Sequence, residues 1–191
     1  FSAISLREIT REVGLVPAAF YRHFANIDQL TTELVDQVAL LFKGLQHRFS
    51  RIYLQHPNTS IIEGLEFFLA AVEKNPEAWL FMTAERWGGS GQLRQAISRE
   101  IDFLIQDLSQ VLSQLDHLRQ YTVSDPDECK YLANLLINLS FTWAMTWIST
   151  NQYPTDIEQR QEKNRLRIQF MMQIKLIFRG RLPQTKVNQA I

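Results

Sequence analysis

Residues 5–24 read SLREITREVGLVPAAFYRHF, and the parsing of this stretch decides the fold. Ser5 followed three residues later by Glu8 is a capping box. The hydroxyl accepts from a free backbone N–H at a helix start, and the carboxylate reaches back to another. Leu6, Ile9 and Val13 recur at helical spacing and make one apolar face. Gly14 supplies the left-handed backbone that ends a helix and permits a sharp turn. Pro17 then opens a second helix where its missing N–H costs nothing. Phe20 and Phe24, four apart, form its buried side. The stretch predicts helix, tight turn, helix over about 5–13 and 17–24. Ala18, Ala19, Tyr21, Arg22 and His23 occupy the open side of the second helix. Small residues let a backbone approach base edges in a major groove, Tyr and His reach phosphates, and Arg grips guanine or phosphate. Taken alone, the pattern also fits a packed helical hairpin with ordinary surface residues.

Outward from this stretch, helix starts are marked by capping side chains. Asn26 precedes Gln29 by three residues and Ser60 precedes Glu63 by three. Asn75-Pro76 and Asp125-Pro126 each place a capping side chain before a proline, and Pro154-Thr155-Asp156 is a further start. Gly14, Gly88-Gly89 and Gly91 are the internal breaks, with Gly44 and Gly64 tolerated inside helical patterns. Further helices are predicted over about 27–54, 60–74, 76–86, 91–115, 126–150 and 155–180, with ends uncertain by ~2–4 residues. No strand alternation competes. Seven Gly and six Pro are too few for a turn-rich β-sandwich. The fold class is all-α, and its long third helix runs from a small N-terminal unit into a larger body without a linker.

The 191 residues, 46% apolar and 21% charged, suit a globular chain and exclude disorder. One cysteine, Cys129, makes no internal disulfide, which favours a reducing, cytoplasmic setting. No apolar run approaches the ~18 residues of a membrane span. Leu135 to Ile148 is interrupted by Asn138, Ser140 and Thr142, and no membrane partner is expected. Phe1 rather than Met opens the chain, so residues preceding it are expected. Net charge is zero but unevenly spread: +1 over 1–56, −6 over 57–154 and +5 over 155–191, the last read as a solvated face. His23, His47, His56 and His117 show no metal-ligand spacing. No nucleophile elbow, P-loop or dinucleotide fingerprint is present. The chain is read as a non-enzyme without metal or cofactor.

The order and spacing of Leu6-Arg7-Glu8-Ile9-Thr10-Arg11-Glu12-Val13-Gly14-Leu15, Phe20-Tyr21-Arg22-His23-Phe24 and Asp28-Gln29-Leu30 closely resemble the DNA-binding signature of TetR-family transcriptional regulators. The resemblance implies a helix–turn–helix head at 1–45, lacking a helix that precedes it in the family, and a ligand-binding and dimerisation body at 46–191. It also implies a homodimer that reads a palindromic double-stranded operator. Ser5, Pro17 and Asn26 join Ala18, Ala19, Tyr21, Arg22 and His23 as DNA-facing candidates. Many family members carry Lys for a phosphate where this chain has Asn26-Ile27. Val16 to Phe24, Asn75-Pro76-Glu77-Ala78, Glu85-Arg86 and the Gly/Ser segment followed by Arg94 to Glu100 look like the FabR/DesT group. Those regulators control unsaturated fatty-acid synthesis and sense acyl chains on coenzyme A or acyl carrier protein. The last two helices are implied to pair with their copies, through Leu136, Leu139, Trp143, Leu166, Phe170, Ile174 and Ile177. A wide apolar surface on both helices supports this.

All four Trp and five of the twelve Phe lie between 60 and 150. Aromatics at helical spacing are commonly core. Lining an apolar tunnel for an acyl chain is the alternative, with Phe67, Phe68, Ala71, Trp79, Met82, Phe103, Phe141 and Met145 as its candidates. Arg86, Arg94 and Arg99 flank the Gly/Ser segment, and they either pair with Glu85 and Glu100 or capture phosphates. The effector is expected to be an acyl-CoA or related fatty acyl species. A drug-sensing regulator of the same fold controlling efflux, and a helical lipid carrier without DNA binding, are the rivals.

Overall fold

The helix starts form where the capping residues place them. The computed structural model describes residues 5–56, 60–118 and 126–178, and these form eight α-helices with no strand. They are α1 (Leu6–Glu12), α2 (Pro17–Phe20), α3 (Ile27–Gln55), α4 (Ile61–Lys74), α5 (Pro76–Gly88), α6 (Gly91–Leu118), α7 (Pro126–Ser149) and α8 (Asp156–Phe178), with a 3-10 turn at Thr150–Gln152. Reciprocal capping boxes form at Ser5/Glu8 and Ser60/Glu63. The Thr155 hydroxyl accepts from the Glu158 N–H at the head of α8. The cap at Asp125, residues 179–191 of the basic C-terminal segment and the side chain of His117 lie outside the described residues.

Two local readings are corrected. Asn75 does not cap α5. Its amide donates instead to the Ala71 carbonyl, 3.4 Å away, closing the C-terminus of α4. The second helix of the motif ends at Phe20, because Arg22 and His23 donate to carbonyls three residues back (3.3 and 2.9 Å) and tighten the chain into a turn. Tyr21, Arg22 and His23 are therefore on the turn after α2, not on its side.

Helix α3 carries the longest stripe. Thr31, Val35, Ala39, Phe42, Ser50 and Tyr53 are buried at helical spacing along one face. Its middle and C-terminal half packs against α6, which also packs on α5 and α7. The core they share includes Phe42, Leu69, Trp79, Met82, Ile97, Ile101, Trp147 and Phe170. The Gln46 amide ties α3 to α6 by donating to the Leu104 carbonyl (3.0 Å) and the Asp107 carboxylate (2.7 Å).

Helix α8 closes over α4 along a charged seam. Lys163 pairs with Glu73 at 2.7 Å and Arg167 with Glu66 at 3.0 Å. Both cations lie about a ring's width over Trp147, at 5.1 and 5.0 Å from its centroid, and the Trp147 indole N–H donates to Glu73. The Lys163 hydrogen bond, above all, holds the Glu73 carboxyl below the usual carboxylate range. Part of the basic surplus of 155–191, read from sequence as a solvated face, thus complements the acidic excess of the middle of the chain.

The end of α3 meets the start of α4 at Gly64, which the sequence offers only as a tolerated interruption. The Tyr53 hydroxyl donates to the Ser60 carbonyl at 3.1 Å and fills the space a Cβ on Gly64 would take. Gly64→Ala should therefore destabilise the fold by about 1–3 kcal/mol through overpacking, measured by urea unfolding. In a Tyr53→Phe background, without the colliding oxygen, the same substitution should cost clearly less. Equal costs in both backgrounds would disprove the close-approach account.

Candidate functional site

Two regions can act on other molecules. The first is the N-terminal head. Gly14 takes φ +68, and the chain closes α1 with Leu15 N–H donating to the Thr10 carbonyl (2.8 Å) and Gly14 N–H to Arg11 (3.2 Å). This paired closure sets the angle at which α2 leaves. Thr10 is buried beneath the turn, with its hydroxyl on the Leu6 and Arg7 carbonyls. Phe20 is buried and its ring lies 5.3 Å from that of Phe24, which anchors the far end. Around this apolar base, Pro17, Ala18, Tyr21, Arg22 and His23 are exposed and Ala19 is half-buried. Tyr21 stands edge-on to Phe20, which restrains the phenol without covering it.

Ser5 and Asn26 are exposed but already employed. The Ser5 backbone N–H and hydroxyl both donate to Glu8, and these bonds hold its carboxyl below the ordinary range. The Asn26 carboxamide oxygen accepts from Gln29 N–H at 2.9 Å, capping α3, while the Gln29 side chain accepts from Ala25 N–H. The second bond falls one residue earlier than a reciprocal box. The Asn26 amide N–H donors remain for a phosphate, and donors are what a phosphate needs.

The second region is a part-open cavity of about 280 Å³ lined by α3 to α8. Its wall is almost wholly apolar. Helix α3 contributes Phe42, Leu45, Gln46, Phe49 and Tyr53, four of them large apolar or aromatic groups on one helical face. Helix α6 contributes Leu104, Leu108, Val111, Leu112 and Leu115. Gln46 donates to α6, Tyr53 to Ser60, and Ser140 to the Ile137 carbonyl at 2.7 Å, whereas the Trp79 indole N–H in the wall has no acceptor among the described residues.

The candidates for the lining divide. Phe67, Phe68, Ala71, Trp79 and Phe141 are in the wall, and their rings interlock: Phe42, Phe68 and Phe141 all lie within 5.5 Å of Trp79. Met82 is sealed in the core and Met145 is half-buried away from the cavity. Phe103 is 55% exposed on the outer side of α6, under the Lys43 ammonium. The α6 stripe faces inward through Leu104 and Leu108, and Phe103 is off that face. Arg86 also stands outside the wall. Its guanidinium lies 5.2 Å from the Trp87 ring and 6.0 Å from that of Phe141. Burial lowers its pKa from the ordinary value, opposed in part by Asp102. Arg94 donates to the Gly89 carbonyl, and Glu100 pairs with Lys43 rather than with an arginine.

Sequence reasoning missed the share of α3 and α6 in the wall. The spacing of Phe42, Phe49 and Tyr53 carried the signal, since the three repeat along one face. The residues expected at a dimer interface divide too. Trp143, Leu166 and Phe170 belong to the protomer's own core, where Trp143 stacks on Phe170 and its indole donates to Gln173. Leu136 and Ile174 line the cavity, and Leu139 and Ile177 are half-buried. The apolar surface of α7 and α8 is wide because it faces the core as well, which an amphipathic pattern does not separate.

Two family models match this chain. Residues 1–34 match the model for bacterial regulatory proteins of the tetR family, and residues 57–174 match the tetracyclin repressor-like C-terminal domain. The chain belongs to the TetR family. TetR-family regulators are DNA-binding transcription factors, not enzymes, and this one is accordingly a ligand-responsive DNA-binding repressor. Operator DNA, a small-molecule effector and a second copy of the chain are the partners typical of the family. The N-terminal match contains α1, α2 and the start of α3, and the C-terminal match contains most of the cavity wall. Among the described residues of this TetR regulator, no helix is long and apolar enough to cross a membrane.

Proposed function

We propose that this regulator senses long-chain fatty acyl species, carried on coenzyme A or acyl carrier protein, and represses genes of unsaturated fatty-acid synthesis. One observation carries the reading: the helix that leaves the DNA-binding head, α3, also forms one wall of an apolar cavity. A ligand there presses on the same rigid element that positions Tyr21, Arg22 and His23. At about 280 Å³ the cavity is at the small end for ligand sites, which favours a slender chain over a broad ring system. The aromatic density around Trp79 favours the second reading, an amphipathic drug-like effector and control of efflux. Chain-length dependence separates them. Each buried methylene contributes about 0.8 kcal/mol, so affinity should climb from C8 acyl-CoA until the cavity is filled. Calorimetry against a C8 to C18 series, paired with gel shifts, should show this climb. Saturated and cis-unsaturated chains should then shift operator affinity differently. Tight binding of long acyl-CoA with no effect on operator affinity would sink the acyl reading.

The head spans 1–45 in this proposal and the body 46–191, with α3 crossing the boundary unbroken. Tyr21 and His23 contact phosphates, Arg22 a base or a phosphate, and Ala18 and Ala19 permit close approach. Tyr21→Ala and His23→Ala should weaken binding to every duplex and lower its salt slope, as phosphate contacts do. Arg22→Ala should cost about 1–3 kcal/mol if it grips guanine. Unchanged affinity in all three folded variants would remove this assignment.

A second copy docks on the outer face of α7 and α8. Ile168, Met172 and Leu176, four apart on α8, are exposed together, as is Leu135 on α7. Large apolar groups aligned on one helix face suit a four-helix interface with a second protomer. Wild type should sediment at about twice 22.3 kDa at micromolar concentration. The variant Ile168→Asp/Met172→Asp should sediment as a folded monomer and bind a palindrome far more weakly. A dimer that survives both charges would place the interface elsewhere.

A further inference from the structure

One face of α5 carries two buried hydrogen-bonding groups that no described residue satisfies, followed by a part-buried guanidinium. Trp79, Thr83 and Arg86 follow one another at four and three residues, so they stack along a single side of the helix. The Trp79 indole N–H, on a residue 6% exposed, has no acceptor, and the Thr83 hydroxyl is buried without a partner. Arg86 is partly buried; among the described residues it makes ring contacts with Trp87 and Phe141, and Asp102 is near enough to act on its charge, but it makes no hydrogen bond. A buried group left unmatched costs about 1–3 kcal/mol, and native proteins leave few of them. Two such groups with a cation next in line on one helix face call for a common partner.

The line has a direction. Trp79 stands in the cavity wall, and Arg86 is two turns along, over the ring of Phe141, which is itself in the wall. Beyond Arg86 lies Trp87, 76% exposed. The line therefore leads from the apolar cavity to the surface. Its order is a neutral donor, a hydroxyl and then a cation. Resting on the acyl reading of the cavity, we infer that this face is the exit track of an amphipathic anion. Its hydrocarbon end fills the cavity and an anionic oxygen group meets Arg86; in an acyl thioester, the carbonyl oxygens between chain and phosphate also meet Trp79 and Thr83. The anionic group is a carboxylate in a free fatty acid or a phosphate in a nucleotide thioester. A guanidinium binds either through paired N–H groups.

The test compares three probes of equal chain length by calorimetry: dodecanoate, dodecanoyl-CoA and dodecanol. Wild type should bind at least one of the two anions about ten-fold more tightly than the alcohol, as expected for one hydrogen bond to a charged group. Arg86→Gln should erase that preference while leaving dodecanol affinity unchanged, which also shows that the variant is folded. Arg86→Lys, which keeps the charge, should restore part of the preference, and Thr83→Val should weaken the CoA ester without touching the alcohol. A preference for dodecanoate alone identifies a carboxylate, and for the CoA ester alone a phosphate. Equal binding of anions and alcohol by wild type overturns the track and leaves the acyl cavity standing. A preference that survives in Arg86→Gln also overturns it. Failure of all three probes to bind overturns both readings together.

Discussion

Phe42 of α3 and Trp79 of α5 meet with ring centroids 4.4 Å apart, and Phe141 of α7 approaches both. This three-helix aromatic contact is where the helix from the head, the cavity and the outward face of α5 come together. A buried aromatic truncated to Ala typically costs 3–5 kcal/mol, a large share of the stability of a domain. The contact is therefore rigid on average, and anything that repositions it must repack all three helices at once. Interiors packed to crystal density do not deform continuously; they pass between discrete arrangements. A cavity bordered by such a contact is suited to switching, because a ligand that seats against Trp79 also bears on Phe42.

The charged seam between α4 and α8 does different work. Exposed ion pairs such as Glu66–Arg167 contribute roughly 0–1 kcal/mol each, so they do not hold α8 in place. Trp147, 1% exposed beneath them, does far more through its buried area. The pairs instead fix register. Lys163 and Arg167 are one turn apart on α8, Glu66 and Glu73 two turns apart on α4, and only one alignment satisfies both pairs while covering the Trp147 ring.

Helix ends were legible in the sequence because capping is local chemistry. Ser5 with Glu8, and Ser60 with Glu63, satisfy free N–H groups within one turn, and no distant residue is needed. The two misread ends also have local causes. Asn75 sits between two helices, one needing donors at its C-terminus and the other acceptors at its N-terminus, and its amide can serve either. At Phe20, helical and three-residue turns differ by one carbonyl, and composition does not choose between them. The family signature in the head was legible as order and spacing. The cavity was legible only in part: Phe67, Phe68, Ala71, Trp79 and Phe141 could be named because the middle of the chain is conspicuously aromatic. Leu104, Leu108 and Leu112 could not, since an aliphatic stripe facing a void has the same period as one facing a neighbour. The α7–α8 residues divide for a related reason. Hydrophobic width tells that two sides are covered, not which residue faces which cover.

The cavity's position also bounds what an effector must do. A ligand that binds two arrangements of the protein equally well shifts nothing, however tightly it is held. Driving a regulator from 1:99 to 99:1 takes about 5.5 kcal/mol of differential binding. At about 0.8 kcal/mol per buried methylene, that is the burial of about seven methylenes in one arrangement and not in the other. An acyl chain can supply such a difference gradually, methylene by methylene, as the α3 wall closes on or withdraws from it. A compact rigid molecule supplies its contacts all at once or not at all. A cavity wall built from Phe42, Leu45 and Phe49 on one continuous helix is thus able to convert the length and shape of a chain into a graded bias on the head.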